Sequence, residues 1–160
     1  MLNISIVCVG RLKELFWRDA CAEYAKRMNG LCKFQIIEVE EERLPDNPSQ
    51  AQIAKALEEE GKRLLNKVVG GTRIIALCVE GREMSSEALS SNLQSIAVSG
   101  ISSVAFLIGG SWGLSPQVKQ AAAQRLSMSP MTFPHQLARV MLCEQIYRAF
   151  QIANDGKYHK

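Results

Sequence analysis

Three short stretches hold the residues best suited to chemistry: Leu77 to Gly81, Gly109 to Gly113, and Met128 to His135. Each follows or closes a segment that reads as strand or helix end, and open α/β sheets bind ligands beyond the carboxyl ends of their strands. The middle stretch, Gly109-Gly110-Ser111-Trp112-Gly113, is the strongest of them. Its three glycines in five residues let a backbone approach a ligand closely, and the helix start behind it, Ser115-Pro116, offers free N–H groups. The same pattern also suits a tight turn that needs positive φ. Trp112, inside the loop, can stack on a base or a cofactor ring.

The last helix carries an arginine in an unexpected place. At about 100° per residue, Ala138, Val140, Leu142, Cys143, Ile146, Tyr147, Ala149, Phe150 and Ala153 form one broad apolar face. Arg139 falls near the centre of that face and near the helix N-terminus, where the macrodipole disfavours a cation. It therefore needs an anionic or carbonyl partner. Two roles stay open: a structural salt bridge, within the chain or across a subunit interface, or a guanidinium facing a substrate pocket. Leu137, Met141 and Ile152 add apolar surface on the other side of the helix, which makes it a candidate dimer interface.

Other chemistries are excluded by pattern. The chain has no G-x-x-x-x-G-K-[ST], and Gly109-Gly110-x-x-Gly113 is not G-x-G-x-x-G; no acidic residue stands about 20 positions further on to hold a ribose. Two histidines, His135 and His159, form no metal-binding cluster, and the Glu40-Glu41-Glu42 run reads as a solvated strand end, so no metal is expected. Five cysteines without C-x-x-C spacing fit reduced thiols, with Cys8, Cys78 and Cys143 in apolar stretches that suggest core packing. A net charge of +3 is modest for a protein that grips bare nucleic acid. No apolar run is long enough for a membrane span, and Met1-Leu2-Asn3-Ile4 lacks a signal-peptide start, which together place the protein in the cytoplasm.

The elements that must position these residues follow from periodicity. The 160 residues, 47% hydrophobic and 22% charged, suit one soluble domain, 1–160. Strands are predicted over Asn3 to Val9, Lys33 to Val39, Thr72 to Val79, Ser103 to Ile108 and, briefly, Met131 to Phe133. Helices are predicted from about Lys13 to Met28, Ser49 to Val68, Ser85 or Ser86 to Val98, Ser115 to Leu126, and Gln136 to Ala153. Gly70-Gly71 stops the second helix, Glu80-Gly81 ends the third strand, and Asp155 to Lys160 reads as a solvated polar tail. The uninterrupted apolar strands point to an α/β domain on a mainly parallel sheet.

Several long motifs, in order along the whole chain, resemble the ribosomal RNA large subunit methyltransferase H family, of the SPOUT class. They are Ser5-Ile6-Val7-Cys8-Val9-Gly10-Arg11-Leu12-Lys13, Phe106-Leu107-Ile108-Gly109-Gly110-Ser111-Trp112-Gly113-Leu114, Leu126 to Gln136, Glu144-Gln145-Ile146-Tyr147-Arg148-Ala149-Phe150, and the ending Tyr158-His159-Lys160. The resemblance implies a single-domain parallel-sheet SPOUT fold with a C-terminal trefoil knot, and an antiparallel homodimer. It implies S-adenosyl-L-methionine as cofactor, held by Leu77, Gly109, Met128, Ser129, Pro130, Met131, Thr132 and Phe133. It also implies methylation of N3 of a pseudouridine in helix 69 of 23S rRNA, within assembled ribosomes.

For that reaction the N3 proton must leave, and a fixed cation would stabilise the resulting anion. Arg139 is the first candidate, acting on its own or its partner's cofactor. Tyr158 and His159 form a tail that can close over the site and assist proton removal, while His135 reads as shaping the loop. Two competing readings are an enzyme with another nucleotide-like cofactor and a ribosome-associated factor without catalysis.

Overall fold

The computed structural model describes residues 1–160. Five strands and five helices alternate: β1 (Asn3–Val9), α1 (Leu15–Arg27), β2 (Lys33–Val39), α2 (Gln50–Asn66), β3 (Arg73–Glu83), α3 (Ser86–Val98), β4 (Ser103–Ile108), α4 (Pro116–Ala121), β5 (Gln124–Ser127) and α5 (His135–Ala153). The strands make one parallel sheet in the order β2-β1-β4-β3-β5. Parallel pairing demands that each connection cross a face of the sheet, which is why a helix follows each strand.

The two faces of β1 show how the core is divided. Ile4, Ile6 and Cys8 point to one side, where they pack with Leu89, Leu93 and Ile96 of α3 and with Leu142, Cys143 and Ile146 of α5. Val7 and Val9 point to the other, against Leu64 of α2 and Val118 of α4. Side chains alternate across a strand, so this period of two builds an α/β/α sandwich with α1, α3 and α5 on one face and α2 and α4 on the other. Both faces of the central strands are covered, which explains their unbroken apolar runs. Ser49 caps α2 in a capping box with Gln52. No helix is long and apolar enough to cross a membrane.

Helix α5 runs between α1 and α3 of its own chain. Ser86 Oγ donates to Gln145 Oε1 at 2.6 Å and Ser90 Oγ to the Ala149 carbonyl at 2.6 Å, while the rings of Tyr24 and Tyr147 lie 6.2 Å apart. These contacts bury one broad side of the helix within its own chain, while Leu137, Met141 and Ile152 on the other side are part-buried.

Three sequence expectations are corrected. Helix α4 stops at Ala121 rather than Leu126, because Ala122 turns extended and Ala123 N–H donates to the Ile74 carbonyl at 2.9 Å. The last strand is therefore Gln124–Ser127, beside β3, and not Met131 to Phe133, where Met131 is 72% exposed and the chain has no ladder partner. Strand β3 also runs on to Glu83 instead of ending at Glu80-Gly81.

Candidate active site

The third correction makes the site. Leu77 and Arg82 both pair with Leu126 of β5, so the residues between them bulge out of the ladder. At Gly81 an added Cβ would lie 2.8 Å from backbone carbons of Arg125 and Leu126. Only a glycine lets β5 return to the β3 ladder here. The bulge turns Leu77, Cys78, Val79 and Glu80 onto the wall of a cavity of about 790 Å³ at the carboxyl ends of β3, β4 and β5.

The β4 end supplies the second wall, from Ile108 to Leu114. Gly113 has φ +82° and forms an isolated bridge with Gly110, and a Cβ on Gly109 would collide with the Gly113 carbonyl group. The glycines thus satisfy the tight-turn requirement, and the folded loop still faces the cavity. The helix behind it contributes no row of free N–H groups: α4 has six residues, and Ser115 Oγ already accepts from Val118 N–H at 3.2 Å.

The third wall is the loop after β5. Ser127 Oγ donates to the Ser129 carbonyl at 3.0 Å and Ser129 Oγ accepts from Met131 N–H at 3.0 Å, which folds the loop back toward the glycine turn. His135, Gln136 and Ala138 at the start of α5 close this side. His135 is half-buried, and burial, then the positive charge of Arg139, lowers its pKa from 6.5. Its imidazole is neutral at pH 7 and can accept a proton. Lys119 of α4 reaches Glu80 across the wall in an ion pair, with side-chain exposures of 26% and 54%. The contact with Lys119 holds the Glu80 carboxyl below the usual range. Val79, Trp112 and Met131 expose large apolar surface at the rim.

The chain is similar to known proteins in sequence and in fold. The family model described as "Predicted SPOUT methyltransferase" matches residues 2–159. The ribosomal RNA large subunit methyltransferase H of Bacillus cytotoxicus is 45% identical over 159 residues, 99% of this chain and 100% of that protein. Ribosomal RNA large subunit methyltransferase H 1 of Clostridium perfringens is also 45% identical over 159 residues, with the same coverage. This chain belongs to the ribosomal RNA large subunit methyltransferase H family of SPOUT methyltransferases. Two solved structures share its fold. A probable methyltransferase from Bordetella pertussis has a TM-score of 0.56 at 14% identity, covering 93% of this chain and 96% of that one. A probable methylase family protein from Haemophilus influenzae has a TM-score of 0.52 at 14% identity, covering 99% and 70%.

Of the cofactor residues that methyltransferase H membership implies, Leu77, Gly109, Met128, Ser129, Met131, Thr132 and Phe133 line the one large cavity. Pro130 is exposed and stands outside the lining.

The three residues expected to act in catalysis are elsewhere in this methyltransferase H chain. Arg139 forms a salt bridge within the chain: it is 1% exposed, donates through Nη1 to Glu38 Oε2 at 2.6 Å and through Nη2 to the Gly10 carbonyl at 3.1 Å. It is not part of the large cavity but lines a smaller one of about 280 Å³ between α1 and β2. Its position on the apolar face was readable; its partner, 101 residues away in sequence, was not.

The tail is not a free solvated end. Tyr158 Oη donates to Glu144 Oε1 at 3.0 Å, its ring stands edge-on to Tyr147, and the Arg148 guanidinium lies 4.6 Å from the ring centroid. Burial and the Glu144 contact push the phenol up to about 12, so it stays a neutral donor. Arg148 Nη1 donates to His159 Nδ1 at 3.1 Å, which leaves Nε2–H to donate to Glu87 Oε1 at 2.6 Å. These contacts hold the tail on α3 and α5, and neither Tyr158 nor His159 lines its own chain's cavity. Sequence reasoning passed over the Lys119 and Glu80 side chains, although Glu80 lies in a strand end it had singled out, and it read His135, now on the cavity wall, as shaping the loop.

Proposed function

We propose that the chain transfers the methyl group of S-adenosyl-L-methionine to 23S rRNA, at N3 of a pseudouridine in helix 69 of assembled ribosomes. The observation that carries the reading is the gathering of seven of the eight implied cofactor residues on one cavity. A volume of about 790 Å³ suits a nucleoside-sized ligand. Three backbone loops and apolar side chains suit an adenine ring, and polar side chains on each wall suit the ribose and the amino-acid end of the cofactor. We also read the loops around the cavity as those of the trefoil knot that the family resemblance implies.

When bound, the cofactor supplies an electrophilic methyl on a sulfonium. The chain must hold the target N3 in line with it, and positioning of this kind supplies most of the acceleration. His135 is the proton acceptor in this reading, because it stands on the cavity wall and is kept neutral by burial and by Arg139. Arg139 is a positioning residue: bound to Glu38 and to the Gly10 carbonyl, it pins the first turns of α5, from which His135 and Ala138 reach the cavity. In the homodimer, Tyr158 and His159 of one protomer close the cavity of the other, since each tail is held on α3 and α5 away from its own cavity. Trp112 and Met131 at the rim supply apolar surface for the flipped base or the partner. A ribosomal substrate places the protein in the cytoplasm and explains its modest net charge of +3.

The experiment incubates purified protein with labelled S-adenosyl-L-methionine and either 70S ribosomes or free 23S rRNA from cells lacking the activity. Label is expected in the large-subunit RNA of ribosomes and far less in free RNA. A folded protein that binds the cofactor and labels neither would contradict the proposal.

A further inference from the structure

We propose that the Lys119–Glu80 ion pair is the recognition site for the amino-acid end of the cofactor, Lys119 taking the α-carboxylate and Glu80 the α-ammonium. The inference rests on the reading of the large cavity as the S-adenosyl-L-methionine site.

The lining of that cavity is mainly apolar side chains, small hydroxyls and glycine backbone, and its ionised side chains are Lys119 and Glu80. They are in contact with each other, one on α4 and one on the β3 bulge. Arg125 Nε donates to the Lys119 carbonyl at 3.2 Å, which ties the end of α4 to β5 and keeps Lys119 beside the bulge. The bulge that Gly81 permits therefore brings a carboxylate to a lysine on the wall of a ligand cavity.

A ligand entering this cavity displaces water from the pair. An apolar ligand would leave two charges partly desolvated with only each other, which is unfavourable. A zwitterion docked head-to-tail on the pair instead gives every charge two opposite neighbours and forms charge-assisted hydrogen bonds on both sides. An α-amino acid carries its two charges on adjacent atoms of one carbon and so matches a lysine and a carboxylate already in contact. Side-chain exposures of 26% and 54% leave both groups reachable without breaking a buried network. A nucleic-acid phosphate would use Lys119 and be repelled by Glu80, so the presence of both signs favours the zwitterion.

The test measures equilibrium binding, by calorimetry, of S-adenosylhomocysteine and of 5′-methylthioadenosine, which lacks the amino-acid end. Wild-type protein, Lys119→Met and Glu80→Gln are compared, each with its unfolding midpoint recorded to establish that it is folded. Each substitution is expected to weaken S-adenosylhomocysteine about tenfold, the loss of one charge-assisted contact at a partly exposed site. Methylthioadenosine affinity is expected to stay within about twofold, so that preference between the ligands falls with the loss. Equal weakening of both ligands, or unchanged S-adenosylhomocysteine binding in both variants, would overturn the assignment while leaving the cavity as the cofactor site. Wild-type protein that binds neither ligand would overturn the reading of the cavity itself, and the assignment with it.

Discussion

The guanidinium of Arg139 is 2% exposed, yet the Glu38 side chain that holds it at 2.6 Å remains 37% exposed. The pair is asymmetric: one charge is fully buried and the other keeps water. Glu38 Oε2 also accepts from Leu12 N–H at 3.3 Å, and Arg139 also binds the Gly10 carbonyl. One carboxylate and one guanidinium thus join the end of β2, the turn after β1 and the first turns of α5.

The asymmetry predicts unequal responses to mutation. Glu38→Ala strands a buried cation and should destabilise the protein by about 3 kcal/mol, the low end for a broken buried pair because water can reach this side. Arg139→Met keeps the apolar stem and leaves Glu38 to hydrate, so about 1 kcal/mol is expected, mainly from the lost bond to the Gly10 carbonyl. Urea unfolding of both variants measures the difference. Equal losses, or a larger loss for Arg139→Met, would show that the pair is not what holds α5.

His135 makes both stability and activity depend on pH. Its folded pKa lies below its ordinary 6.5, so the unfolded chain binds the proton more readily. The stabilisation from this residue is full above about pH 6.5 and is lost as the pH falls through the folded pKa. A His135→Gln variant should lose less stability than wild type between pH 7.5 and pH 5.5 in unfolding experiments (both chosen around that reference value). If His135 accepts the N3 proton, the acid limb of methyl transfer should titrate below 6.5 in wild type, and the variant should be slower by roughly 10²-fold or more. A fast variant with the same acid limb would move the proton acceptor elsewhere.

Much of this architecture could be read from the sequence, and the misses have definite causes. The apolar runs of β1, β3 and β4 announce strands buried on both faces, and the three segments that line the cavity were marked by glycines and strand ends. Helix α4 was read too long because Ala121-Ala122-Ala123-Gln124 has strong helix propensity. Pairing with β3 overrides it, starting at the Ala123–Ile74 hydrogen bond. Met131-Thr132-Phe133 has strand-forming residue types but no neighbour to pair with. The partners of Arg139 and His159 lie 101 and 72 residues away in sequence, beyond the reach of any local pattern.

Gly81 should be the least replaceable glycine of the site. An alanine Cβ there would meet the backbone of Arg125 and Leu126 at 2.8 Å, and backbone cannot yield as a side-chain tip can. Gly81→Ala is expected to destabilise the protein by about 1–3 kcal/mol, the usual range for overpacking, and to weaken cofactor binding because the bulge moves. A variant with wild-type stability and affinity would contradict the reading of the β3–β5 ladder.

The thiols offer a probe of the cavity in solution. Cys8, Cys21, Cys32 and Cys143 are buried, and burial pushes Cys8 up to about 12 and Cys32 up to about 11. Cys78 is half-buried and stands on the cavity wall. Maleimide labelling of the native protein at mildly alkaline pH should therefore modify Cys78 first, and slowly, since burial raises its pKa too. S-adenosylhomocysteine should protect it. First labelling at another cysteine, or no protection, would count against the cavity as the ligand site.

The most direct test of the central claim is to map the methyl group. Ribosomes from cells lacking the endogenous activity would be treated with S-adenosyl-L-methionine and either wild-type protein or Thr132→Trp, which fills the cavity from an exposed position. The helix 69 fragment of 23S rRNA would then be sequenced by mass spectrometry. A single added methyl on a pseudouridine base with wild type, and none with Thr132→Trp, is the predicted result. A methyl at another nucleotide would contradict the assigned target, and full methylation by Thr132→Trp would contradict the assigned cavity.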